Sequence, residues 1–177
     1  MKKTKKLVLA AIFSAIGVIV LALGALLEVL DISVAVFASL IVLFFVAEIG
    51  RGYAAAVYLT ISALAALLIP LRSSVLLFIL LFGYLPITKY LFERLGKWLG
   101  WVPKLLLYNG FLLVMWLAFR EVTGITLENG LGIPREAMAA AYLLFSNLLM
   151  IVLDFLYDRL LRLYFLRIRP RIERYLK

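Results

Sequence analysis

The sequence predicts an all-α membrane protein, a bundle of six transmembrane helices whose two termini lie in the cytoplasm. Hydrophobic residues make up 66% of the 177 residues and charged residues only 16%, which is more apolar surface than one soluble core can hold. The apolar runs are continuous rather than alternating, so they favour helices over a membrane β-barrel. The basic residues concentrate in alternate gaps between these runs.

Six apolar runs mark the predicted spans. The first run follows four lysines and contains no charge, and its length favours a retained span over a signal peptide. The gaps between the first four runs are short, so consecutive helices are expected to be antiparallel neighbours. The predicted spans are residues 7–27, 32–47, 52–71, 73–91, 105–119 and 137–157 of a single domain that covers residues 1–177.

Three local features add detail to this pattern of spans. The segment Gly83-Tyr84-Leu85-Pro86 interrupts the fourth span, where the missing amide of the proline predicts a kink or break. A stretch with two tryptophans, Trp98 to Pro103, is predicted to lie in the headgroup region before the fifth span. The connection from Arg120 to Glu136 is rich in glycine and predicts an external loop, and residues 158–177 predict a basic amphipathic helix in the cytoplasm.

The distribution of Lys and Arg predicts the orientation. If the amino terminus is inside, all but three of the 19 Lys and Arg lie on the cytoplasmic side, the exceptions being Arg72, Arg120 and Arg135. Dividing the chain into five or seven spans would destroy this asymmetry. The predicted localisation is therefore the cell membrane, with both termini cytoplasmic.

The residue inventory excludes several classes of function. Cysteine and histidine are both absent, so thiolate or ordinary zinc sites, Ser-His-Asp triads and histidine proton relays have no members here. Phosphate-binding loops and serine-hydrolase motifs are missing as well. We therefore expect no enzyme activity, no cofactor and no metal. The net charge of +9 lies at the ends of apolar runs, which indicates contact with anionic lipid at the cytoplasmic face rather than with nucleic acid.

Small residues recur at a spacing of four along several helices. Such faces let two helices approach closely, and packing within the chain is the ordinary explanation. On the first helix, Ala11 and Ala15 lie near the cytoplasmic end, where they could instead receive a helix of another protein. The other pairs are Ala10 with Ser14, Ala35 with Ser39, Gly52 with Ala56, Ser62 with Ala66, and Ala137 with Ala141.

The short basic amino terminus, the early Ala-xxx-Ala motif, the six spans and the length resemble the substrate-binding S components of energy-coupling factor (ECF) transporters. In that family the small-residue face of the first helix docks on the coupling helices of a transmembrane partner, which two ATPases drive. The resemblance implies that Ala11 and Ala15 are docking positions. It also implies a vitamin or other small micronutrient as the substrate.

Two groups of polar residues are candidate sites. Lys89, Asn109 and Asp154 lie at similar depth near the cytoplasmic side, where an ion pair either fixes helix register or serves a function. A second set faces outside and either meets water and headgroups or binds the substrate between the turn after the first helix and the last two helices. Its members are Glu28, Trp116, Arg120, Tyr142, Ser146 and Asn147.

Two other functions remain open. A non-catalytic membrane scaffold, similar in size and span number to the MreD-like cell-envelope proteins, would use the basic tail from Arg162 to Lys177 to bind lipid or a partner. A lipid-modifying enzyme would use Lys89 and Asp154. The first predicts that removing the charge of the tail abolishes function, and the second that Lys89→Met with Asp154→Asn does so.

Overall fold

The computed structural model describes residues 3–27, 30–69, 72–92, 96, 99–123 and 135–170, and the side chains of residues 118–123, 135, 136 and 168 lie outside this description. All regular structure in this part of the chain is helical. The helices are α1 (Lys3–Leu27), α2 (Asp31–Glu48), α3 (Arg51–Leu68), α4 (Ser73–Leu77), α5 (Leu85–Phe92), α6 (Trp101–Thr123) and α7 (Arg135–Leu163). The chain divides into two compact units, residues 1–126 and 127–177.

Five helical segments are long and apolar enough to cross a membrane, counted within the described residues. Each exceeds or nearly reaches the roughly 20 residues that a bilayer core requires. They are Lys3–Leu27, Asp31–Glu48, Arg51–Leu68, Ser73–Phe92 and Ala137–Arg167, and a shorter apolar segment, Trp101–Leu117, lies in α6. The prediction of an all-helical chain with long apolar helices is therefore confirmed.

The first four of these apolar segments run alternately up and down. At one end, the Lys6 ammonium lies 5.7 Å from the Tyr53 ring and the Arg51 guanidinium lies 4.6 Å from the Tyr90 ring. The start of α1, the start of α3 and the end of α5 therefore meet there, and we call this the basic end. At the opposite end, the Ser74 hydroxyl at the start of α4 is 3.5 Å from the main-chain oxygen of Leu21 in α1.

Helix α2 lies at the centre of the first unit, where it packs against α1, α3, α4 and α5. Its sequence has small residues where neighbours approach, and Ala35, Ala38 and Ser39 are completely buried. The Ser39 hydroxyl donates to the main-chain oxygen of Val36 at 2.6 Å, so it is satisfied within its own helix. The pair Ala35 and Ser39 thus serves packing within the chain.

Helix α1 packs through a second line of small residues. Ser14, Gly17 and Gly24 are buried on one face of the helix. A Cβ atom at Gly17 would lie 2.6 Å from Cδ1 of Ile61 in α3, and one at Gly24 would overlap Val34 of α2. The two glycines therefore set how closely α1 approaches its neighbours. We call these three residues the inner seam of α1.

The fourth span has the break that the sequence predicts. Helix α4 continues into a π-helical turn, Phe78–Phe82, in which the Gly83 amide donates to the main-chain oxygen of Phe78 at 2.7 Å. The chain then bends at Gly83 and Tyr84, and α5 begins at Leu85 with Pro86 in its first turn. Because Pro86 has no amide proton, it cannot donate to the main-chain oxygen of Phe82, and the regular helix ends there.

Helix α6 begins earlier than the sequence predicts. It starts at Trp101, so the segment predicted as interfacial already contributes its first turn. Pro103 is compatible with this position because amides in the first turn of a helix have no intrahelical partner. The predicted external loop lies for the most part outside the described residues, since α6 extends to Thr123 and α7 begins at Arg135.

In the second unit, α7 is a single long helix. It runs from Arg135 to Leu163 and continues through a π-helical turn, Tyr164–Ile168. Arg169 lies 5.5 Å from the Phe165 ring, so its charge stays beside an exposed aromatic side chain. Residues 171–177 of the predicted basic helix lie outside the described part.

Candidate functional sites

The outward face of α1 carries Ala11 and Ala15. Both residues are exposed, whereas Ser14 of the inner seam, between them in sequence, is buried. Large exposed side chains surround the two alanines: Leu7, Val8, Ile12, Ile16 and Ile19. The two small residues thus lie among longer apolar side chains, and we call this exposed face the α1 groove. The structure thus separates two small-residue surfaces on one helix, one of which the bundle uses and one of which it leaves exposed.

The predicted cluster of Lys89, Asn109 and Asp154 is divided between the two units. Lys89 is buried in α5, with 4% of its surface exposed, and the Asn109 amide donates to the main-chain oxygen of Leu105 in its own helix at 2.9 Å. Asp154 is half-buried on α7, in the other unit. Their proximity stays a prediction. A second buried lysine, Lys104, lies 5.1 Å from the Trp101 ring, whereas the charge distribution predicts it only as one of the cytoplasmic cations.

The outward polar set is also spread over the chain. Glu28 and the side chain of Arg120 lie outside the described residues, and Trp116 is half-buried on α6. The remaining three members belong to α7. Tyr142 and Ser146 interact across one helical turn, and the Asn147 amide donates to the main-chain oxygen of Leu143 at 2.9 Å. These α7 side chains therefore make contacts within their own helix, and the convergence of the set stays a prediction.

A cluster of hydroxyl groups lies beside the broken fourth span. The Tyr58 hydroxyl of α3 donates to the main-chain oxygen of Ile79 in the π-helical turn at 2.9 Å. Ser62 lies one turn further along α3, with its oxygen beside the Tyr58 hydroxyl but outside hydrogen-bonding geometry. Tyr84, at the break, lies within electrostatic range of both Tyr58 and Tyr108 of α6. We call Tyr58, Ser62, Tyr84 and Tyr108 the hydroxyl cluster.

Two members of this cluster have unsatisfied hydroxyl groups. Within the described residues, the buried oxygens of Tyr84 and Ser62 have no hydrogen-bond partner. Tyr84 is 7% exposed, and its ring lies 5.0 Å from that of Phe111. The Tyr58 ring lies 5.9 Å from that of Phe78. The cluster therefore combines aromatic walls with polar groups that can still form hydrogen bonds.

The three tyrosines lie at one depth in the bundle. Tyr58 is seven residues after the start of α3, Tyr108 seven after the start of α6, and Tyr84 eight before the end of α5. At about 1.5 Å per residue, each lies about 10 Å from its helix end. In the sequence, Tyr84 is named only as part of the break before Pro86, and the common depth of the three tyrosines is the signal that could have revealed the cluster.

Comparison with known proteins gives no relative from which a function could be transferred. No protein-family model, curated protein or solved structure matches the chain.

Proposed function

We propose that the chain is the substrate-capturing membrane subunit of an ECF-type importer for a vitamin or similarly small nutrient. It crosses the membrane six times with both termini in the cytoplasm, and it depends on a transmembrane coupling subunit and two ATPases. The single observation that carries this proposal is the exposure of Ala11 and Ala15 in the α1 groove. A docking helix needs small residues that its own bundle does not use.

The composition of α1 supports this assignment. Ser14, Gly17 and Gly24 are buried in packing within the chain, whereas the small residues of the α1 groove remain exposed. The groove lies toward the basic end, where α1 begins and where the proposed topology places the cytoplasm. A coupling helix seated there is accessible to cytoplasmic ATPases. The lack of a phosphate-binding loop in the sequence agrees with a subunit that leaves ATP hydrolysis to others.

Affinity purification from the native membrane tests the proposal. The tagged chain is extracted in mild detergent, and co-purifying proteins are identified by mass spectrometry. We expect one further integral membrane protein and two ATPases with the unmodified chain. The double substitution Ala11→Leu and Ala15→Leu fills the groove and should remove all three.

A matched control comes from the same helix. Ile12→Ala and Ile19→Ala shorten exposed side chains without filling the groove, so they should retain the partners. The double leucine variant should also keep the unfolding midpoint of the purified chain, because both positions are exposed. The proposal is contradicted if the unmodified chain retains no ATPases and an Ala15→Cys variant, treated with a bifunctional thiol reagent, forms no crosslink to a membrane partner.

The exposed arginines of the second unit favour a second candidate, a membrane scaffold that binds anionic lipid or a partner. Arg159, Arg162, Arg167 and Arg169 are all exposed along the end of α7. A cluster of this kind is attracted to anionic headgroups by about 1 kcal/mol per residue close to the membrane surface. For a scaffold, changing these four residues to Gln abolishes function while the double leucine variant retains it. The importer proposal predicts the opposite.

A further inference from the structure

The main-chain oxygen of Ile79 has a different partner from the one that a regular helix would give it. In an α-helix it would accept from the amide four residues later, that of Gly83. In the π-helical turn the Gly83 amide instead donates to the oxygen of Phe78 at 2.7 Å. The Tyr58 hydroxyl of α3 donates to the Ile79 oxygen at 2.9 Å. A side chain of one helix thus occupies the acceptor that another helix would ordinarily use for itself.

A second acceptor for the Tyr58 hydroxyl lies on its own helix. Ser62 is one turn further along α3, and its oxygen lies beside that hydroxyl. Within the described residues, this buried oxygen has no hydrogen-bond partner. A buried hydroxyl without a partner is unfavourable. The observed arrangement therefore omits a hydrogen bond that the Tyr58 hydroxyl would make by turning from Ile79 to Ser62.

The helix after the break does not hold the turn in one pairing. Pro86 has no amide proton to donate to the turn. The amides of Ile87 and Thr88 donate to the main-chain oxygen of Tyr84, at 3.0 and 3.1 Å. Gly83, at the bend, has no side chain that limits its backbone. The pairing in the turn can therefore change while these hydrogen bonds of α5 remain.

We propose that the π-helical turn is a two-state joint in which Tyr58 and Gly83 compete for the main-chain oxygen of Ile79. In the π state, which is the observed one, Gly83 donates to Phe78 and Tyr58 to Ile79. In the α state, the Gly83 amide donates to Ile79 and the Tyr58 hydroxyl to Ser62. Both donors have a partner in each state, so the exchange loses no hydrogen bond from them. The joint does not depend on the importer function.

The exchange displaces the start of α5. Passing from π to α pairing shifts the chain by one residue, which corresponds to about 1.5 Å along a helix and about 100° around it. This shift enters at Gly83 and Tyr84, the bend that precedes α5. The segment that follows carries buried Lys89 and also Tyr90, whose ring contacts Arg51 at the basic end. The joint thus links the hydrogen bonding of the turn to the position of α5.

Nuclear magnetic resonance at two main-chain sites tests the joint in the full chain in detergent. The sequence contains one Phe-Gly pair, Phe82-Gly83, and one Ile-Leu pair, Ile79-Leu80. A carbonyl label on Phe with a nitrogen label on Gly therefore gives one signal, for the donor Gly83. The same labels on Ile and Leu give one signal for the acceptor Ile79. Saturation-transfer experiments detect a second state populated above about 1%. We expect one second state, with a single population and exchange rate, at both signals.

Substitutions in α3 distinguish this competition from unrelated motion. Ser62→Ala leaves the Tyr58 hydroxyl without a partner in the α state, so the population of that state should fall about tenfold. Tyr58→Phe removes one hydrogen bond from each state, so the population should stay within about threefold of that in the unmodified chain. In the Tyr58→Phe background, Ser62→Ala should have no further effect. Thr60→Ala is the matched control, because this exposed hydroxyl donates to Ala56 within α3 at 2.8 Å, and it should change nothing.

Three results overturn the proposal. The first is a single state at both signals of the unmodified chain. The second is a different population or rate at Gly83 and at Ile79, which would mean separate motions. The third is a Ser62→Ala variant that keeps the second state, or that loses it equally in the Tyr58→Phe background. The first two results need no variant to fold. None of them concerns the partners retained through the α1 groove, so this proposal and the importer proposal fail separately.

Discussion

The hydroxyl group of Tyr58 in α3 donates a hydrogen bond of 2.9 Å to the main-chain oxygen of Ile79 in the π-helical turn of the fourth span. The residues are 21 positions apart, so this contact joins two helical segments rather than neighbours in one helix. A π-helical turn shifts the pairing of main-chain groups by one residue. The tyrosine thus fixes an irregular turn against a regular helix.

Removing this contact should destabilise the first unit. Tyr58→Phe keeps the ring beside Phe78 and deletes only the donor, and we expect the free energy of unfolding to fall by about 1–2 kcal/mol. Unfolding in detergent with increasing denaturant gives this value. Tyr53→Phe is the matched control because its ring keeps the contact with Lys6, and its stability should be unchanged within about 0.5 kcal/mol. Equal stability of both variants would show that the bond to Ile79 contributes nothing.

Two glycines in different helices should respond to alanine with opposite sign. At Gly24 a Cβ would collide with Val34, whose branched side chain has little freedom to move, so Gly24→Ala should destabilise the chain by about 1–3 kcal/mol. At Gly110, within α6, no atom lies within 4 Å of the added Cβ. Gly110→Ala should therefore be neutral or stabilising by up to about 1 kcal/mol. Paired thermal melts give the comparison, and a loss at Gly110 would contradict the described packing of α6.

The break in the fourth span should tolerate no side chain at Gly83. A Cβ there would lie 2.8 Å both from the main-chain oxygen of Phe78 and from Cδ2 of Tyr58. Gly83→Ala should cost about 2–3 kcal/mol, because a backbone atom and a packed ring must move together. Gly52→Ala, where nothing lies within 4 Å, is the control for the intrinsic effect of alanine. If the two variants had equal unfolding midpoints, the packing around Gly83 would be less tight than these contact distances indicate.

The features that could be predicted from the sequence are those that depend only on nearby residues in the chain. The long apolar helices follow from the length of apolar runs, since a bilayer leaves the backbone little choice except a helix. The break could be predicted from Pro86, because a proline lacks the amide proton for a hydrogen bond within its own helix, whatever surrounds that helix. The start of α6 was predicted too late. A proline in the first turn of a helix does not disrupt it, and only the structure shows that Pro103 lies in the first turn.

The candidate sites depend on tertiary packing and were therefore harder to predict from the sequence. Ala11 and Ala15 share the spacing of Ala35 and Ser39, but one pair is exposed and the other completely buried. Spacing describes a helix face and does not say what covers it. Likewise, Tyr58, Tyr84 and Tyr108 come from three spans, and their meeting depends on which helices are neighbours.

The most direct test of the account is the side of the membrane on which each helix end lies. The chain contains no cysteine, so single substitutions Gly52→Cys, at the basic end, and Leu30→Cys, between α1 and α2, can be labelled without interference. Both positions are exposed. Intact cells treated with a membrane-impermeant maleimide should label Leu30→Cys, whereas Gly52→Cys should react only after lysis. Labelling of both positions in intact cells, or of Gly52→Cys alone, would contradict the proposed topology and the cytoplasmic docking of the α1 groove.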